Sequence, residues 1–310
     1  MPATLFARRS VRLLLWLGLF LLVVLPVGCS VLAQKERELV FRIEQGDASW
    51  YGGLPAGVQE LDLETTELAS DQSLHAWWWP AEAADAPAVL YLHGVRWNLT
   101  GHLFRIRELR ALGFSVLAVD YRGFGKSRGP LPSERSVYQD ARIAWQHLAR
   151  LQPDAGKRLI YGHSLGGAVA VDLALQLNKG DLEPTGARGL ILESTFTNLG
   201  DIAAVLADTR WPVRWLLSQE FDSLDKIGQV ELPVLIVHGT QDRYVPPRFG
   251  QALYDAASGP KELLLVEGAT HNNSMRMARE EYARAIARLF GPAADERSAG
   301  RAEDRPPDAS

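Results

Sequence analysis

Residues 158–167, Arg-Leu-Ile-Tyr-Gly-His-Ser-Leu-Gly-Gly, place a serine in the pattern Gly162-x-Ser164-x-Gly166. A serine hydroxyl becomes a nucleophile when one neighbour takes its proton and a third group orients that base. Downstream, Asp242 and His271 offer a carboxylate and an imidazole, in the chain order Ser, Asp, His. Such a trio attacks a carbonyl carbon, holds the acyl group on the serine and passes it to water. An imidazole base works only when neutral, so activity is expected to rise as pH climbs through the histidine range, near neutrality.

The elements around these residues are those needed to aim them. Leu159–Tyr161 reads as a short apolar strand, and Ala168–Leu177 as an apolar, Ala-rich helix. Strand, sharp turn and helix form the setting in which a serine is held in a strained backbone above a sheet, over a helix N-terminus that favours negative charge. Glycine at 162 and 166 lets strand and helix approach closely. One oxyanion donor is expected from the N–H of Leu165, directly after the serine. Pro233–Gly239 reads as a buried strand followed by the loop carrying Asp242, and Lys261–Glu267 as a strand followed by the loop carrying His271. Both residues thus fall just past the carboxyl end of a strand, where reactive groups converge in parallel α/β sheets.

Taken together, Tyr91-Leu-His93-Gly94, Asp120-Tyr-Arg-Gly-Phe-Gly-Lys-Ser127, Gly162-His-Ser-Leu-Gly-Gly167, Glu193-Ser-Thr-Phe196, His238-Gly-Thr-Gln-Asp242 and Thr270-His271 resemble the α/β-hydrolases. The likeness runs from about 58 to 290 and is strongest to the bacterial serine-aminopeptidase-like and lysophospholipase-like group, with membrane-anchored eukaryotic hydrolases and depalmitoylases sharing the core. It implies the α/β-hydrolase fold, a mostly parallel central sheet flanked by helices with a small cap or none. It also implies a Ser164–Asp242–His271 triad and no cofactor. The second oxyanion donor is assigned by the same resemblance to Val95, with Arg96 next in line. Where relatives often continue His-Gly-Asn-x-Gly-Asn, this chain has His93-Gly-Val-Arg-Trp-Asn98, which puts Trp97 beside the expected acyl pocket.

A chain of 310 residues with 47% hydrophobic content can bury one large α/β core. Its net charge of −4 gives no electrostatic case for nucleic-acid binding. No fixed-period repeat is present, which argues against a solenoid or propeller. Residues 35–292 are expected to form the catalytic domain, and 293–310, lacking hydrophobic anchors, a disordered tail.

Residues 1–34 read as an anchor or signal. Arg8, Arg9 and Arg12 precede an uncharged run from Leu13 to Ala33, which as a helix reaches roughly 30 Å, enough to cross a bilayer core. Arginines before the run favour an N-terminus inside and a catalytic domain outside the cytoplasm, periplasmic or at the cell surface. Cys29, the single cysteine, excludes intramolecular disulfides. Its setting, Leu25-Pro-Val-Gly-Cys29-Ser30, resembles a bacterial lipoprotein cleavage site, except that Pro26 stands where leucine is usual. A lipidated mature protein and an uncleaved helical anchor both follow from this segment, and each tethers the enzyme to a membrane.

Several other features have plain readings. Gly125-Lys126-Ser127 lacks the earlier glycine of a phosphate-binding loop, since that place is Asp120. Gln59–Glu67 and Leu74–Trp79 read as an antiparallel start to the sheet, with Trp77, Trp78 and Trp79 packing on both faces of an edge strand. His93, His163 and His238 are expected to brace loops, and they are too scattered to suggest a metal site. Glu193 is an alternative catalytic acid to Asp242. Ser133 or Ser136 is expected to cap the helix that follows, 102–112 to form a helix, and 274–290 a single last helix.

Segment 194–232 is the expected source of selectivity. Trp211-Pro-Val-Arg-Trp215-Leu-Leu makes Trp211 and Trp215 either core-packed or parts of an acyl-binding or membrane-facing cap. If they form the cap, replacing both with alanine should weaken long-chain ester hydrolysis more than acetate-ester hydrolysis. The expected substrate is a small or lipid-like acyl ester or thioester. A serine peptidase and a membrane-tethered binding protein that has lost catalysis are the alternatives.

Overall fold

Short, mostly apolar runs of five or six residues make the centre of the sheet. In the computed structural model, which describes residues 16, 18–20, 22, 25–44, 46–63, 66–209 and 213–291, they become β3 (Ala88–Leu92), β4 (Ser115–Val119), β5 (Arg158–His163), β6 (Gly189–Glu193) and β7 (Val234–Gly239), all buried along their length. With β1 (Gln59–Leu63), β2 (Leu74–Trp79) and β8 (Lys261–Val266) they form one eight-stranded sheet of order β1-β2-β4-β3-β5-β6-β7-β8. Strands β1 and β2 pair antiparallel, β2 joins β4 antiparallel, and every later pairing is parallel. Such runs suit a parallel sheet whose two faces are both covered.

Alternation along the strands divides the core. Leu90, Leu92, Leu117, Val119, Ile160, Leu190, Leu192 and Ile236 face one layer, which includes α3 (Glu134–Leu151), α4 (Leu165–Lys179) and α7 (Pro247–Ala256). Val89, Tyr91, Val116, Leu159, Tyr161, Ile191 and Leu235 face the other, with α2 (Leu99–Ala111) and α9 (Arg279–Phe290). Helix α4 is buried on nearly every side, which explains its unbroken apolar sequence. Ser133 caps α3 in a reciprocal capping box with Ser136, so both candidate serines take part.

Between β6 and β7 the described chain carries two short helices, α5 (Leu199–Leu206) and α6 (Ser223–Ile227), and a 3-10 turn at Val213–Leu216. The cap is small, leaving the carboxyl edge of the sheet without a lid domain among the described residues.

Three expectations need correction. Strand β2 is not an edge, because β1 covers it; Trp77 is buried and Trp78 and Trp79 are half-buried. The last helix is two, α8 (Ser274–Met277) and α9, broken at Ala278 (φ −123°). Apolar residues at 275, 278, 282 and 285 keep a helical spacing across that break, so the pattern conceals it. The helix expected at 102–112 starts at Leu99, capped by the Asn98 side chain.

At the N-terminus, α1 (Leu25–Phe41) runs unbroken through the boundary expected at residue 34 and ends with Phe41 in the core. Cys29 is exposed on it. Among the described residues no helix is long and apolar enough to cross a membrane. Part of the Leu13–Ala33 run, Trp211 and the expected tail at 293–310 lie outside the described residues.

Candidate active site

The turn between β5 and α4 holds Ser164 at φ 54° and ψ −121°, a backbone conformation that non-glycine residues rarely adopt. Packing shows why glycines flank it. A Cβ on Gly166 would drive into the carbonyl of Leu92, and one on Gly162 into that of Gly166. The elbow is pinned on both sides: the Ser164 N–H donates to Glu193 C=O at 2.9 Å, and the Gly167 N–H to Ser164 C=O at 2.9 Å. Ser164 is 8% exposed, and a Cβ on Gly94 would sit 3.2 Å from its Cβ. The β3 loop therefore passes directly over the serine. Leu165 opens α4, so its N–H has no acceptor within the helix.

The other two residues meet at the same edge. His271 Nδ1 and Asp242 Oδ2 are 2.7 Å apart. Asp242 Oδ1 accepts the backbone N–H groups of Tyr244 and Val245, each at 2.9 Å, and Oδ2 lies 3.4 Å from His238 Nε2. Burial alone would raise this carboxyl, but hydrogen bonds from His238 and His271, the charge of His271 and the Val245 N–H hold it well below the usual carboxylate range. The ionised form is favoured in the native state. Its contribution to stability is therefore intact above about pH 3.9, the ordinary aspartate value, and fades as pH falls below it.

His271 is brought to the elbow through His163, whose Nε2–H donates to the His271 carbonyl at 3.0 Å with the two rings 4.8 Å apart. Burial, backed by the positive charge of Arg105, pushes the His163 imidazole well below its ordinary value and keeps it neutral. The other bracing histidines act on loops: His93 Nδ1–H reaches Gly94 C=O at 2.6 Å, and His238 Nε2–H reaches Val245 C=O at 2.7 Å. A strained serine, with a carboxylate–imidazole pair tied to its turn through His163, has the groups needed for nucleophilic substitution at a carbonyl.

The family model described as serine aminopeptidase, S33, matches residues 84–224. A protein of Mycobacterium tuberculosis is 35% identical over 243 residues, covering 77% of this chain and 81% of its own. The chain belongs to the α/β-hydrolases. A lysophosphatidylserine lipase of Danio rerio is 34% identical over 212 residues, 60% of this hydrolase and 54% of the lipase. The solved structure of an esterase from Pyrococcus furiosus superposes with a TM-score of 0.61 at 20% identity, covering 80% of this hydrolase and 95% of the esterase.

Glu193, the alternative acid, is committed elsewhere in this hydrolase. It is fully buried; Oε1 accepts from Arg105 at 3.2 Å, and Oε2 accepts from the phenols of Tyr161 and, at 3.1 Å, Tyr282. Burial, reinforced by the Glu193 charge, holds both phenols well above their ordinary value, so they remain neutral donors. Arg105 is itself 1% exposed. Removing one member of such a pair strands a buried charge. Glu193→Ala is expected to lose about 3–5 kcal/mol of stability, measured by urea unfolding, and a second change, Arg105→Met, to recover part of it. Equal stability of Glu193→Ala and wild type would assign the residue another role.

The Asp120 motif of this hydrolase also proves to be bracing. Asp120 Oδ1 accepts the Leu99 N–H at 2.9 Å, Tyr121 Oη donates to His93 C=O at 3.2 Å, and Lys126 pairs with Glu60. Its lysine is thus occupied. Trp97 is half-buried against Trp50, with ring centroids 4.9 Å apart, and Trp215 is 88% exposed on the cap, which excludes core packing for it. Among the described residues no group of three or more His, Cys, Asp or Glu could hold a metal ion. Asp120, Glu193 with Arg105, and His163 are functional neighbours whose roles rest on long-range contacts rather than on any local pattern.

Proposed function

We propose that this hydrolase cleaves carboxylic esters or thioesters of lipid-like acyl groups through an acyl-enzyme on Ser164. The observation that carries the reading is the 2.7 Å Asp242–His271 pair, tied through His163 to the turn that holds Ser164 at φ 54°. His271 takes the hydroxyl proton at Nε2 while Oγ forms the bond to the carbonyl carbon. Asp242 keeps the proton of Nδ1 in place and stabilises the imidazolium. The carbonyl oxygen gains negative charge and receives the N–H groups of Leu165 and Val95. The Arg96 N–H is spent on Phe41 C=O at 3.1 Å, which supports Val95 as the second donor. Collapse expels the alcohol or thiol, which takes the proton from His271. Water then adds to the acyl carbon by the same base and frees the serine.

Hydrolysis of p-nitrophenyl esters of increasing chain length, run beside aminoacyl-nitroanilides, tests this reading. Turnover of esters over anilides is expected. The serine aminopeptidase description of the matching family favours a second reading, amide cleavage at an N-terminus, and preference for the anilides would establish it.

Trp215, with exposed Leu206 on the same small cap, supports contact with aggregated lipid rather than a closed acyl tunnel. Trp215→Ala is expected to lower turnover of micellar long-chain esters about 10-fold, equivalent to ~1.4 kcal/mol of lost binding, while acetate-ester turnover stays the same. Equal loss on both would remove the cap from substrate selection.

The Arg8, Arg9 and Arg12 flank and the Leu13–Ala33 run support a membrane tether with the catalytic domain outside the cytoplasm. Cys29, exposed on α1, is the lipidation candidate within it, and intact mass of membrane-extracted protein distinguishes a diacylglyceryl adduct from an unmodified helix.

A further inference from the structure

Arg96, immediately after the Val95 oxyanion donor, has φ 83°, outside the region that suits a branched or long side chain. Something must hold the loop in that state. The chain between α1 and β1 does so, through contacts laid out in register. Phe41 C=O accepts the Arg96 N–H at 3.1 Å, and the Glu44 N–H returns to Arg96 C=O at 3.0 Å. Two residues on, Gly46 C=O accepts from Asn98 Nδ2 at 2.7 Å; after two more, the Ala48 N–H donates to Thr100 Oγ1 at 2.9 Å. Trp50 then closes on the Trp97 ring edge to face.

The far end of this strap is rooted in the rest of the domain. Phe41 is fully buried, edge-on to Phe124 at 6.4 Å and Phe221 at 6.1 Å. One turn earlier on α1, the Glu36 carboxylate accepts the N–H groups of Ser218 and Gln219 at 2.7–2.9 Å, tying the same helix to the cap. A cavity of about 110 Å³, walled by Asp47, Tyr51, His75, Asn98 and Asp120 among others, lies between strap and body. Discrete hydrogen bonds at its rim, rather than a continuous apolar interface, thus carry much of the attachment.

We infer that residues 41–44 and 46–48 act as a positioning strap for the oxyanion loop, with Asn98 and Thr100 as the body's positioning residues, so that the chain leading from α1 sets the placement of the Val95 N–H. The inference rests on the Ser164 acyl-enzyme reading. An oxyanion donor is useful only within hydrogen-bond range of the developing charge, and losing one costs roughly 10²–10³ in kcat. A displaced donor costs less than a lost one and leaves ground-state binding alone.

The test uses the full-length chain in detergent. Asn98→Ser keeps an oxygen for the α2 cap and removes the donor to Gly46. Thr100→Val keeps the shape and removes the acceptor for Ala48, together with the Thr100–Asn98 hydroxyl bond. Each is expected to lower kcat about 10-fold and the pair roughly 10²-fold, with KM within about twofold of wild type. The inhibition constant of n-butylboronic acid, whose serine adduct is tetrahedral and anionic, is expected to rise in the same proportion as kcat falls. Melting curves establish that the variants are folded, and Thr100→Val alone suffices if the double variant is not. Unchanged kcat in folded variants overturns the strap, and so does a kcat loss with unchanged boronate inhibition, which would mark a merely structural contact. Wild type that neither hydrolyses esters nor reacts with a fluorophosphonate refutes the acyl-enzyme reading itself, and the strap falls with it.

Discussion

Ser164→Ala is expected to lower kcat for ester hydrolysis by about 10⁶-fold, the scale seen when a serine nucleophile is removed from a working triad. The structure argues that the loss will be chemical and not conformational. Strain at φ 54° goes with the close approach of α4 to β5 at Gly162 and to β3 at Gly166, which the substitution leaves untouched. The Ser164 N–H bond to Glu193 C=O is a backbone bond and also survives. The Asp242–His271 pair is held by its own hydrogen bond, by the Tyr244 and Val245 N–H groups and by His163, none of which the substitution removes. KM and the melting temperature should therefore stay close to wild type. Steady-state assay on a p-nitrophenyl ester measures the effect, and retention of more than about 1% of wild-type kcat would show that another group performs the attack.

Asp242→Asn carries the second largest effect, about 10⁴-fold in kcat, for a reason the local hydrogen bonds make specific. The Oδ1 position accepts two backbone N–H groups, from Tyr244 and Val245, so the asparagine carbonyl must occupy it. Its NH₂ then faces His271 Nδ1, which becomes an acceptor. The proton moves to Nε2, and the imidazole can no longer accept from Ser164. Because His271 is held at its carbonyl by His163, the ring stays in place and only its tautomer changes. The loss should appear in kcat, accompanied by loss of the stability that the ionised carboxylate contributes at neutral pH. A kcat within about tenfold of wild type would mean that Asp242 does not set the tautomer.

Much of this site is legible in the sequence because parallel α/β sheets write it locally. Strands β5, β7 and β8 are short apolar runs, and each candidate follows its strand by a few residues, so order and spacing place Ser164, Asp242 and His271 at one edge. The glycines at 162 and 166 are equally readable, since only close backbone contact demands them. What the sequence conceals depends on partners far along the chain. Glu193 looks like a free acid at a strand end until Arg105, 88 residues earlier, and Tyr282, 89 later, are seen to share it. The strap contacts at Phe41, Glu44, Gly46 and Ala48 leave no periodic pattern, because backbone atoms of the strap make these bonds. Leu74–Trp79 reads as an edge strand even though Gln59–Glu67 reads as its antiparallel neighbour, because neither run states which of the two lies outermost. The break at Ala278 is hidden for the opposite reason: the apolar spacing continues while the backbone does not.

Covalent labelling distinguishes Ser164 from every other residue that could carry the acyl group. Full-length protein is treated with a fluorophosphonate, digested and mapped by mass spectrometry, with heat-unfolded protein as the control. One adduct is expected, on the peptide bearing Ser164, formed by the folded protein and suppressed by a long-chain ester present in excess. An adduct on a different residue, or none on folded protein that binds the ester, would contradict the acyl-enzyme on Ser164.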